Sequence, residues 1–425
     1  CVIKQNFIFY CCVTLLISTI TQISEAVEYK AHGILDIRAS STDGFKKGYI
    51  AGGQGKFALS DGQQLFIAQA GIELSAQWEN GLSAHGVFNS FLDKEDSATG
   101  VTEAYLKYRN LPNSSGYRIQ VKGGIFYPEI SLENNAFAWA SKDTLNSSTL
   151  NTWIGEEIRV LGSEFKVTRL GRMNSDAYDL SFSATAFINN DPSGALLAWH
   201  GWTMSSRQTL WGEARDFPWF PALDDGGSLA GQAEKSEPFI ELDNNVGYHV
   251  RGEWSLHGKG EFSAGYYDNN STPYKVVNGQ YGWHTRFYHF GASWKFSKNL
   301  SLIAQYLSGN TLMQSHLRED VVNNDYASAF VSLTYKWHDI LGNKKHRSTV
   351  RLEDFSVTDN DDTWGDNNNE DGQALTINHS YRLNKNWFLS AEFNYIDSHR
   401  PARYYTHNSI DLVEKQLQLA ARYFF

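Results

Sequence analysis

From residue 28 onward, polar and apolar residues alternate one by one over most of the chain. In Glu28–Ser40 one face carries Tyr29, Ala31, Gly33, Leu35, Ile37 and Ala39, and Glu28, Lys30, His32, Asp36 and Arg38 oppose them. Successive strand side chains point to opposite faces, so this period of two predicts a strand with one apolar and one polar side. In 64–79 the apolar face is expected to be Phe66, Ala68, Ala70, Ile72, Leu74, Ala76 and Trp78. Seventeen such segments are predicted: 28–40, 63–79, 81–93, 101–110, 116–126, 156–170, 177–189, 194–206, 245–256, 258–268, 283–296, 299–312, 326–338, 346–357, 373–384, 386–397 and 412–425. All eight prolines fall outside them, as expected of residues that cannot donate to a sheet ladder.

The apolar face is lined at segment ends by aromatics such as Tyr29, Trp78, Trp254, Trp337 and Trp387, while the opposite face is polar and charged. A packed soluble core does not tolerate that second face, whereas a water-filled lumen does. Aromatic ends suit the two membrane interfaces. Short turns alternate with long polar connections, as in transmembrane barrels with short periplasmic turns and long extracellular loops. The pattern predicts an all-β, antiparallel, up-and-down transmembrane barrel forming one domain over residues 27–425.

Single-chain bacterial barrels have an even number of strands, so seventeen is wrong by one. Turn and loop lengths alternate correctly up to about residue 155 and again from about 245, which places the discrepancy between 156 and 244. The connection 207–244 is long enough to hide a strand near Glu237–Leu242, so eighteen strands are predicted, with sixteen the alternative. Barrels of 16–18 strands are wide enough to leave an aqueous channel.

Residues 1–26 look like an export signal rather than structure: Lys4, an apolar run Phe7–Ile20, and Ser24-Glu25-Ala26, with cleavage expected after Ala26. The run is too short for a spanning helix. Cys1, Cys11 and Cys12 all lie in this segment, so the exported part is expected to carry no disulfide and no thiolate chemistry. The mean hydropathy of −0.43 is compatible with a barrel, because only alternate strand residues meet lipid.

The last strand is the sharpest signal. Leu417, Leu419, Ala421, Tyr423 and Phe425 form its lipid face, and Glu414, Gln416, Gln418 and Arg422 face the lumen. A terminal Phe preceded by alternating apolar residues resembles the sorting signal of Gram-negative outer-membrane proteins. With the export signal, the length and the lack of cysteine, the whole chain from residue 27 resembles the larger porins, among them the phosphate- and substrate-selective groups. That resemblance implies passive diffusion of small polar solutes (ions, sugars or phosphate-like nutrients), a homotrimer, and no catalysis or cofactor. It also implies delivery by the barrel-assembly machinery and contact with outer-membrane lipids and lipopolysaccharide. Nothing points to nucleic acid. A non-conducting receptor or adhesin barrel is the alternative.

A pore needs a constriction and a charge pattern. Tyr127–Thr152, with Glu129, Glu133 and Asp143, is expected to fold inward, and its place after the fifth strand resembles the constriction loop of porins. Lumen parity on the wall selects Arg38, Glu73, Arg118, Lys122, Arg251, Glu253, Lys259, Glu261 and Glu392, a set able to impose a transverse field. The net charge of −10 is concentrated in loops, above all 359–371. Its Asp359, Asp361, Thr363 and Glu370 partly mimic an EF-hand loop, but Trp364 stands where glycine is needed, so a solvated acidic loop is expected and no metal site is assigned. Trp199, Trp202, Trp211, Phe217, Trp219 and Phe220 could stack on sugars or pack a large loop. Phosphate-binding loops, nucleophile elbows and zinc-type His spacings are missing from the sequence.

Overall fold

The computed structural model describes residues 27–337 and 345–425. The expected export signal, residues 1–26, lies outside the described residues. Sixteen antiparallel strands close into one barrel. They are β1 (Val27–Asp43), β2 (Gly62–Trp78), β3 (Leu82–Leu92), β4 (Ala98–Arg109), β5 (Tyr117–Phe126), β6 (Val160–Arg169), β7 (Tyr178–Ile188) and β8 (Gly247–Leu256). They continue as β9 (Gly260–Asp268), β10 (His284–Lys295), β11 (Leu300–Gln314), β12 (Asp320–Trp337), β13 (His346–Asp359), β14 (Glu370–Arg382), β15 (Trp387–His399) and β16 (Asp411–Phe424). Each strand pairs with its sequence neighbours, and β16 returns to β1 with Ala39 opposite Leu419 and Ile34 opposite Phe424. The backbone of Phe425 adds two bonds to Gly33, at 3.1 and 3.2 Å.

Sixteen strands is the alternative count, and the preferred eighteen is corrected. The discrepancy does lie between 156 and 244, but a strand has to be removed there rather than added. The segment read as 194–206 is not a strand. Its Ala195–His200 stretch, ALLAWH, is a short buried helix (α2). Alanine and leucine are strong helix formers and the stretch has no period-two polarity. Gly201, at φ 71°, ends the helix in a conformation that L residues rarely adopt, and a Cβ there would collide with Glu370. Glu237–Leu242 adds no barrel strand either.

Outward residues form an exposed apolar belt: Leu417 and Leu419 on β16 are about half exposed, as are Leu333 on β12 and Leu389 on β15, and Phe393 on β15 somewhat less. The expected face of β2 needs one correction. The register shifts between Ile67 and Ala70 against β3, a bulge that inserts an extra residue. Beyond it Leu65 points to lipid at 74 % exposure, and Phe66 and Ala68 turn into the barrel beside Arg38 and Met204.

The barrel is filled rather than hollow over its middle. A continuous apolar cluster joins wall residues Phe187, Tyr267, Phe287, Leu307, Tyr326, Phe355 and Ile396 to Leu150, Trp153, Ile154, Trp202 and Met204 from the connections after β5 and β7. Replacing the outward Leu419 with arginine near the membrane midplane is expected to cost about 2–4 kcal/mol. Urea unfolding in bilayers should show that loss, whereas a change at the neighbouring inward Ala420 to serine should leave membrane insertion intact.

Candidate functional site

The connection between β5 and β6 enters the barrel, as expected. It carries a second helix, α1 (Thr149–Glu157), every residue of which is buried. Ser148 caps it by accepting the Asn151 amide at 3.2 Å. A chain segment inside a barrel has backbone polar groups that need partners. Here the wall supplies them with side chains. Glu392 on β15 accepts the amides of Leu145 at 2.5 Å and Asn146 at 2.9 Å. Arg351 on β13 donates to the carbonyls of Asn146 at 3.0 Å and Ser147 at 3.1 Å. Arg38 on β1 donates to the Leu145 carbonyl at 3.0 Å, and Arg422 on β16 to that of Ser141 at 3.0 Å. Glu353 accepts the Thr149 amide at 2.7 Å, and Gln305 on β11 bridges the Leu132 amide and the Ile130 carbonyl, both at 2.9 Å. The charges are themselves paired: Arg38 with Asp36 at 2.8 Å, and Arg351 with Glu353 at 2.7 Å and with Glu133.

A second layer lies above the first, at the long-loop end. Glu157 accepts the amides of Gly194 at 3.0 Å and Leu196 at 2.9 Å at the start of α2, and Arg400 donates to the carbonyls of Ala198 at 2.9 Å and Trp199 at 3.0 Å at its end. A carboxylate and a guanidinium so placed match the helix dipole. Buried Lys56 and Arg400 both pair with Glu370. Trp153 of α1 packs edge-on against Trp202, Phe287 and Tyr326, with ring centroids 5.8, 5.4 and 5.3 Å apart. At this level every strand of the barrel contributes at least one buried inward side chain, from Arg38 on β1, Gln69 on β2 and Asn89 on β3 to Arg422 on β16.

Toward the short-turn end the lumen opens into a cavity of about 590 Å³. Its roof is the underside of the inward loop, Asn134–Trp139, and its walls include Glu73, Glu103, Arg347 and Arg422. His32 stacks on Phe137 of the roof, with centroids 4.6 Å apart.

The charged residues singled out in the sequence divide accordingly. Arg38, Glu133 and Glu392 are buried anchors of the loop, and Asp143 joins them through Arg347 at 2.7 Å. Glu129 pairs with Lys166 at 2.7 Å and Arg251 at 3.1 Å, and Arg251 also meets Glu253 at 2.5 Å. Lys122 lies 3.3 Å from Glu164. Glu73 lines the cavity, and Arg118 and Glu261 are partly exposed on inward faces near the short-turn end. Lys259 sits exposed in the turn between β8 and β9, outside the lumen, because the strands end at Leu256 and Gly260. Acids and bases are interleaved as local pairs, not arrayed on opposite walls. Sequence reasoning missed Arg351, Glu353 and Gln305. Inward parity on their strands was the available signal, but nothing in it distinguished a loop anchor from a solvated wall residue.

The aromatic cluster resolves as packing. Trp199, Phe217 and Phe220 form a buried core with Trp283, Met313 and Val322, Trp202 belongs to the barrel core, and Trp211 stacks on Phe239. Trp219 is half exposed. In the 359–371 segment Asp359 accepts the Asn368 amide and Asp361 that of Thr363, at 2.9 and 3.0 Å, while Asp361 also accepts the Asn323 amide at 2.8 Å and Asp366 the Trp199 indole at 3.3 Å. The positive-φ position is Gly365, with φ 76°, one residue after Trp364.

No family model and no curated protein matches the chain. Solved structures do. The outer membrane channel DcaP of Acinetobacter baumannii superposes with a TM-score of 0.55 at 14 % identity, covering 94 % of this chain and 98 % of that one. An anion-selective porin from Comamonas acidovorans gives 0.52 at 12 %, covering 94 % and 100 %. OprB of Pseudomonas putida gives 0.51 at 11 %, covering 94 % of each. At such identities the likeness is one of fold: the chain shares the closed antiparallel barrel of these outer-membrane channels, with sixteen strands.

Two outcomes follow. Arg351→Met strands Glu133 and Glu353 without their cation, a kind of change that costs about 3–5 kcal/mol in buried pairs. Amide exchange at 141–149 should accelerate by at least tenfold while the barrel strands stay protected. Burial pushes the Glu156 carboxyl up to about 8, against the pull of Arg215. A carboxyl raised on folding stabilises most below its ordinary value of 4.5, and that contribution is lost as pH rises through about 8. The melting temperature of Glu156→Gln relative to wild type should therefore increase between pH 6 and pH 8.5.

Proposed function

We propose that the protein is a porin-like channel of the outer membrane for small polar solutes, and that its inward loops close it in the conformation described here. The carrying observation is the polar, charged vestibule under an inward loop whose 141–149 stretch is held to the wall by side-chain hydrogen bonds. A cavity of this volume falls in the range of small-molecule sites. On this reading the short turns face the periplasm and the long loops the cell exterior, with lipid and lipopolysaccharide around the belt. Export through the periplasm and insertion by the assembly machinery precede that state. The strands β3–β9, of 9–12 residues, make a short wall beside long strands of 12–18 residues. We assign that short wall to the inside of a homotrimer, in keeping with the class the fold resembles.

A second reading rests on a specific observation. The long-loop end is a packed layer with its own core around Trp199 and Trp283, a surface fit for a receptor. Planar-bilayer recording separates the two. Wild type should show rare stepwise openings, and an Arg351→Met, Glu392→Gln variant should open at least tenfold more often. A barrel that inserts, stays silent in both forms and passes no ions would leave the receptor reading standing and overturn the channel. Crosslinking in native membranes that yields only monomers would remove the trimer.

A further inference from the structure

Three carboxylates from the two ends of the longest connection, residues 189–246, meet at the rim of the barrel. Asp191 follows β7, and Glu241 and Asp243 precede β8. One oxygen from each lies within 4.8 Å of the others. Asp191 is 1 % exposed. Its Oδ2 accepts the Leu242 amide at 2.5 Å, but its Oδ1 is buried with no hydrogen-bond partner. Glu241 is in the same state: Oε1 accepts the amides of Asp243 and Asn244 at 3.2 and 2.5 Å, and Oε2 is buried and unpartnered. Asp243 accepts the amides of Asn245 at 2.8 Å and Thr272 at 2.5 Å, and the Asn245 side chain at 3.0 Å. Among the described residues no lysine, arginine or histidine forms an ion pair with any of the three.

Buried lone pairs without a donor are costly, and clustered negative charge adds to the cost. A cation removes both terms. We propose that Asp191, Glu241 and Asp243 bind a divalent cation, Ca²⁺ by its chemistry. The donor set is all oxygen and contains no imidazole or thiolate, which excludes the softer metals. The three oxygens lie within 4.8 Å of one another, close enough to share one ion. Ca²⁺ accepts several carboxylates in a flexible shell, whereas Mg²⁺ keeps most of its waters and is usually held by one or two carboxylates. Water and nearby carbonyls complete a shell of six to eight. The ion ties the entry of the 189–246 connection to its exit. That connection carries α2, Trp202 and Met204, so the site acts on the upper layer of the lumen filling.

The competing arrangement is a proton shared between Asp191 and Glu241. Burial raises the Asp191 carboxyl, and Glu241 and Asp243 raise it further. Titration of the intact barrel in detergent at pH 7.5 distinguishes them. Tb³⁺ luminescence excited through tryptophan should report the site, because the Trp283 amide donates to the Asp191 carbonyl at 2.7 Å. Ca²⁺ should displace Tb³⁺ saturably, with one ion per chain by calorimetry. Asp191→Asn and Asp243→Asn should each weaken Ca²⁺ at least tenfold, while Asp359→Asn leaves it unchanged. Chelator should speed proteolysis within 189–246 in wild type, which needs no variant to fold. Absence of saturable Ca²⁺ binding to wild type, or binding that moves only with Asp359→Asn, overturns the site. Conductance is not the readout, so a silent channel leaves the test intact.

Discussion

A polypeptide segment taken into the interior of a barrel brings its amides and carbonyls with it, and each needs a partner there. This requirement governs the structure. The segment 141–149 is neither helix nor strand over most of its length, so it cannot satisfy itself. The inward faces of β1, β13, β15 and β16 do so instead, through Arg38, Arg351, Glu392 and Arg422. The wall charges are therefore spent on backbone groups and on each other. That explains why residues as polar as Arg351, Glu353 and Glu392 can be almost wholly buried inside the barrel.

The same requirement shapes the second layer. α2 is only one and a half turns long, too short to stand alone in water. It forms because its free ends are met by Glu157 and Arg400, residues far apart in the chain and close in the barrel. Its apolar residues Leu196, Leu197 and Trp199 then have somewhere to go, in cores shared with Trp153, Trp202 and Trp283. The filled lumen is thus built from two short helices and a clasped loop, each dependent on side chains from distant strands.

Much of this was legible before any coordinates. Period-two alternation located the strands, and the alternation of short and long connections marked the one stretch that was misread. Within that stretch apolar density over six residues such as Ala195–His200 does not separate a strand from a helix. The reversal of Phe66 and Ala68 was hidden for another reason: a bulge changes parity without changing composition. The inward course of the Tyr127–Thr152 segment was foreseen. The clasps that hold it were not, because they depend on pairings such as Arg351 with Glu133, 218 residues apart, that no local pattern records. Likewise the convergence of Asp191 with Glu241 and Asp243 spans a connection whose own sequence looks unstructured.

The wide sequence separation of these contacts has a kinetic side. The clasped loop follows β5, yet most of the groups that hold it arrive on β13 to β16, separated from it by 204 to 281 residues. Closing so long a span is entropically slow, and contacts of this kind form after local ones. The last strands both shut the barrel and bury its centre, so closure of the sheet and desolvation of the loop are one event.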